Sequence, residues 1–70
     1  MMTPEMQEKY VRMNKRLTEL EQINGNIARL AFDINENYMT DAMYDTLKAQ
    51  LKAMVRYRNL LQTRIIDGLY

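Results

Sequence analysis

Two runs of residues at alternating steps of three and four constrain this chain more than any other feature. Met6, Tyr10, Met13, Leu17, Leu20, Asn24, Ile27, Ala31 and Ile34 form the first run. Tyr44, Leu47, Leu51, Met54, Arg58, Leu61 and Ile65 form the second, and neither slips in phase. Such spacing lays a stripe along one side of an α-helix. Between the runs, Asp33, Asn35 and Asn37 interrupt the period with turn-forming side chains. The pattern predicts an all-α fold, an antiparallel two-helix hairpin with helices over about 4–35 and 41–67 and one domain over 1–70.

The helix ends are marked in the same terms. Thr3 can cap a free amide, Pro4 suits the first helical position, and Glu5 meets the positive end of the helix dipole. Thr40 and Asp41 repeat this arrangement at the second start. Arg64 lies near the negative end of the second dipole, and Gly68 suits a left-handed cap. Asn24-Gly25-Asn26 is a local turn signal, and Gly inside a helix costs about 1 kcal/mol relative to Ala. The apolar phase nevertheless continues unchanged across it, so one helix, bent at most at Gly25, is expected.

Folding the two stripes together about residue 39 sets Ala31 opposite Leu47, Ile27 opposite Leu51, Leu17 opposite Leu61 and Met13 opposite Ile65. Two helices share only a strip, and Met43, Val55, Leu60 and Ile66 fall beside it rather than within it. Apolar faces this broad imply further packing, so these four are the candidate oligomer interface of a homo-oligomeric helical bundle. At 70 residues a single chain barely buries enough apolar surface to offset its ordering entropy, which points the same way.

There is no Cys and no His, so disulfides, thiolate or imidazole metal sites, and Cys/His or Ser/His catalysis are excluded by inventory. Asp41 and Asp45, like Glu5 and Glu8, have helical spacing but read as solvated carboxylates at helix starts. No metal or other cofactor is expected, and no enzymatic activity. No apolar run reaches the 18 or more residues of a membrane span, and Met1 to Glu5 lack the character of a signal peptide. A cytosolic location without membrane partners is the expectation.

The net charge is +1, but it is unevenly placed: residues 1–37 hold five basic and six acidic groups, and residues 38–70 five basic and three acidic. No acidic residue occurs between Asp45 and Asp67, while Lys48, Lys52, Arg56, Arg58 and Arg64 all do. Lys52, Arg56, Tyr57 and Arg64, with Arg12 and Arg16 from the open end of the hairpin, are the candidate ligand-binding set. Guanidinium groups pair with phosphate and Tyr rings stack on bases. The alternative is a solvated polar face. Asn24 reads as a seam position that fixes register. Arg58 reads as a side chain that reaches the surface along its aliphatic stem and pairs with Glu19 or Glu21.

Gln50-Leu51-Lys52-Ala53-Met54, followed by Tyr57, Leu61, Arg64 and Ile65, forms the pattern QLxAMxxYxxxLxxRI. Together with Arg16-Leu17, Leu20-Glu21 and Ile23, it resembles a family of short proteins of tailed phages, including crAss-like phages. The resemblance implies a phage protein acting in the host cytoplasm, and counter-defence is then a reasonable class. Helical phage proteins that sequester cyclic oligonucleotide signals, the anti-CBASS and anti-Thoeris sponges, are similar in size and general plan. Three functions follow as expectations: sequestration of a small cyclic nucleotide immune signal at a subunit interface, without catalysis; a homo-oligomeric protein–protein interaction module that inhibits a host or phage protein; and a nucleic-acid-binding helical oligomer.

Overall fold

The computed structural model describes residues Met1–Tyr70. Two helices, α1 (Pro4–Glu36) and α2 (Asp41–Ile66), are joined by the four residues 37–40. Both starts are capped as their sequences require: Met6 N donates to Thr3 Oγ1 and Met43 N to Thr40 Oγ1, each at 3.2 Å. Asn37 closes α1 by donating its N–H to Asp33 O at 3.1 Å. The ends differ from the expected ones by a single residue each, since α1 gains Glu36 and α2 leaves Asp67 as its cap.

The C-terminal cap of α2 is a Schellman motif. Gly68 N donates to Ile65 O at 3.1 Å and Leu69 N to Arg64 O at 2.7 Å, and Gly68 supplies the required φ of 73°. Arg64 reinforces the motif by donating Nε to Leu69 O at 3.2 Å. Tyr70 then folds back to α1, where the Lys9 ammonium lies 6.0 Å from its ring centroid.

α1 runs unbroken through Gly25. Nothing lies within 4 Å of where a Cβ would stand there, so the glycine serves no close approach within the hairpin. Gly25→Ala is therefore expected to stabilise the protein by about 1 kcal/mol, through helix propensity and a less mobile unfolded chain. Urea unfolding at fixed protein concentration measures this, and a loss of stability would show that the turn signal matters to the fold.

The hairpin is a thin rod of 57 × 16 × 12 Å. Its radius of gyration is 16.5 Å, against about 11 Å for a compact domain of this length. Only Leu61, 1% exposed, is fully buried. The α2 seam is as expected: Leu47, Leu51, Met54, Arg58 and Ile65 are half-buried around Leu61, with Tyr44 at the margin.

The α1 seam differs from expectation. Met13, Leu20, Ile27 and Ile34 do face α2, but they are joined there by Arg16, Ile23 and Leu30. Tyr10, Leu17 and Asn24, seven residues apart in turn, stay exposed, as does Met6. Asn24 thus occupies no core slot in the hairpin. A three-position apolar stripe is wider than one neighbouring helix can cover. α2 takes the flank that contains Ile23, and the flank that contains Leu17 remains open.

Candidate interaction surface

The register places Glu19 beside Tyr57, whose hydroxyl lies 3.5 Å from Glu19 Oε2. From that pair the two broad faces of the hairpin can be assigned by helical periodicity, and they differ in chemistry. One face carries Lys15, Glu19, Gln22, Asn26, Arg29 and Asp33 from α1. A shallow depression on it is lined by Asn26, Arg29, Leu30, Asp33, Gln50 and Met54, and another by Glu19, Gln22, Ile23, Asn26 and Tyr57. The opposite face carries Met6, Tyr10, Leu17, Glu21, Asn24 and Ala28 from α1, beside Tyr44, Lys48, Val55, Gln62 and Ile66 from α2. It is the more apolar of the two, with Tyr10 53%, Leu17 42% and Ile66 82% exposed, though Glu21, Asn24, Lys48 and Gln62 share it.

The four residues expected at the oligomer interface are divided by this geometry. Val55 and Ile66 belong to the apolar face. Met43 and Leu60, 54% and 58% exposed, point to the other side of α2, where Ala42, Met43, Thr46 and Leu47 line an open hollow near the loop. Sequence spacing along α2 alone could not separate them, because the division depends on which side of α2 meets α1.

The expected ligand-binding set is divided as well. Arg12, Arg16, Tyr57 and Arg64 fall on the polar face toward the open end of the hairpin, while Lys52 and Arg56 lie on the outer edge of α2 and Lys48 shares the face of Val55. Arg16 forms the only ion pair of the chain, Nη2 to Glu19 Oε1 at 3.0 Å. Its Nε is buried and finds no acceptor. Arg64 is held partly by the C-terminal cap.

Arg58 does not pair with Glu19 or Glu21. Its Nε and Nη2 donate instead to Asn59 Oδ1 at 3.3 and 3.2 Å. Like every charged side chain other than Arg16 and Glu19, Glu21, Lys52 and Arg56 have no ion-pair partner in the chain. Lys48 instead lies 5.3 Å from the Tyr44 ring centroid, with its Nζ 3.3 Å from the Tyr44 hydroxyl. The depressions on both sides of α2 are open to solvent.

Compared with known proteins, the chain matches no protein-family model, no curated protein and no solved structure.

Proposed function

We propose that this chain is a non-catalytic, self-assembling interaction module, a helical hairpin whose fold is completed by other copies. One observation carries this reading: the hairpin fully buries a single side chain, Leu61, while it leaves large apolar side chains such as Tyr10, Leu17 and Ile66 exposed along one face. Apolar burial is the main term that offsets chain entropy, and one enclosed leucine is far too little of it. Sedimentation over a falling concentration series tests the proposal. A well-folded 8.4 kDa species at high dilution would sink it. In a phage setting, which the resemblance of the Gln50 to Ile65 segment suggests, such a module would act by occupying a host or phage protein in the host cytoplasm.

A second reading is favoured by the polar face. Arg16 carries a buried Nε with no acceptor, and Arg12, Arg64 and Tyr57 share its face. Such a set suits a small anion with a stackable ring, so a cyclic nucleotide signal held where copies meet is the corresponding ligand. Titration calorimetry with a panel of cyclic di- and trinucleotides is expected to give binding that Arg16→Ala weakens by about tenfold or more, the loss typical of a charge-assisted hydrogen bond. Absence of heat across the panel would remove this reading and leave the first intact.

A further inference from the structure

Resting on the self-assembly reading, we propose that the Leu17 flank of α1 is covered by α2 of a second copy, in a two-fold dimer whose loops lie at the same end. Three observations lead there. The first is area. The chain exposes 5724 Å², roughly 1,100 Å² more than a compact monomer of this mass exposes. Two copies hiding that excess would bury about 2,200 Å² in total, within the range of obligate homodimers.

The second observation is spacing. Tyr10, Leu17 and Asn24 repeat every seven residues beside the stripe that already faces α2, and half-buried Ala31 continues the row into the hairpin. A sustained seven-residue repeat is the requirement for a further helix to run alongside α1 with regular packing, as in a four-helix bundle. The opposite flank has seven-residue rows too, Lys15–Gln22–Arg29 and Glu19–Asn26–Asp33, but every member is polar or charged.

The third observation is charge, and it selects the orientation. Two hairpins can meet through this face in two symmetric ways. With loops at opposite ends, α1 meets α1 of the second copy and α2 meets α2, so the Glu21 side chains approach each other near mid-helix and so do Lys52 and Arg56 of the two chains. With loops at the same end, α1 meets α2 of the second copy, and Glu21 comes to the height of Arg56 with Lys52 one turn away. None of the three is ion-paired within the chain, whose one ion pair is Arg16–Glu19. Like charges placed together penalise the first arrangement, and opposite charges favour the second. The basic α2 half and the slightly acidic α1 half agree with it.

Because the chain has no cysteine, one spin label can be introduced cleanly. Tyr38, fully exposed in the loop, becomes the labelling site as Tyr38→Cys, and the label-to-label distance is measured by pulsed dipolar spectroscopy on the full-length protein. Loops at the same end should give roughly 20–25 Å, about two helix diameters. A distance approaching the 57 Å length of the rod would overturn the orientation while leaving self-assembly in place. Loss of any dipolar signal, with an 8.4 kDa species in solution, would overturn self-assembly itself. The face is tested separately by a matched pair of exposed apolar sites, Leu17 at 42% and Val11 at 52%. Leu17→Glu should weaken association by at least a hundredfold and Val11→Glu by less than threefold. Equal losses from the two would overturn the assigned face.

Discussion

Diluting this protein is expected to unfold it, with loss of most of its helical circular dichroism at the concentration where sedimentation shows dissociation. The two transitions should coincide, because the isolated hairpin has almost no enclosed core. Only Leu61 is fully shielded, and large side chains such as Phe32, Leu60 and Ile66 are 63%, 58% and 82% exposed. An isolated helix gains one backbone hydrogen bond per residue ordered and is marginal in water without an apolar face to bury. If folding and association are one step, each tenfold dilution costs about 1.4 kcal/mol per dimer. The urea midpoint should then move steadily downward as protein concentration falls. A midpoint independent of concentration over three decades would show that the hairpin is sufficient for its own stability, and the self-assembly proposal would fall.

The elements themselves were legible because they rest on local chemistry. Thr3-Pro4-Glu5 and Thr40-Asp41 state their caps in sequence, and Gly68 takes the one backbone conformation that glycine tolerates and other residues resist. Gly25 was a real conflict, and the unchanged phase from Leu20 to Ile27 outweighed the turn signal, since a penalty near 1 kcal/mol is smaller than the packing it would interrupt. Register was legible too, because the loop is only four residues long and pins the two stripes to each other.

What the sequence did not disclose is which side of a wide stripe the partner helix takes. Seven-residue spacing assigns Met13, Leu20 and Ile27 together with Tyr10, Leu17 and Asn24, yet a single neighbour touches only part of that width. The neighbour's side follows from where Ile23 and Leu30 lie, and these break the strict alternation of three and four. Arg58 shows a different difficulty. Charge arithmetic favours a carboxylate partner, while in the structure Arg58 donates to the adjacent Asn59 amide and Glu19 faces Arg16 and Tyr57. Neither fact is written in residue spacing. The candidate ligand residues fared alike: periodicity named them, and the rotation of α2 about its own axis separated Lys52 and Arg56 from Arg12, Arg16, Tyr57 and Arg64.

Leu61→Ala should be the most damaging conservative substitution in the chain. Leu61 is 1% exposed and sits in the α2 seam with half-buried Arg58 and Ile65 on either side along the helix. Truncating an enclosed leucine costs about 2–5 kcal/mol, the upper part of that range applying where neighbours cannot close the gap. The neighbours here are held on two long, regular helices, which limits collapse into the void. In a dimer the change occurs twice, so the expected loss is roughly 4–10 kcal/mol per dimer, comparable with the total stability of many proteins of this combined size. The variant should lose its helical signal at concentrations where the parent is fully folded, and regain it only at much higher concentration. Leu60→Ala provides the contrast: Leu60 is adjacent in sequence but 58% exposed and turned away from both α1 and the Leu17 face, so its truncation should cost less than about 1 kcal/mol. Similar losses from the two substitutions, measured by urea unfolding at one protein concentration, would mean that α2 is rotated from the orientation that Leu61 and the Tyr57–Glu19 contact define. The division into one polar and one apolar face, on which both the ligand reading and the dimer depend, would then have to be redrawn.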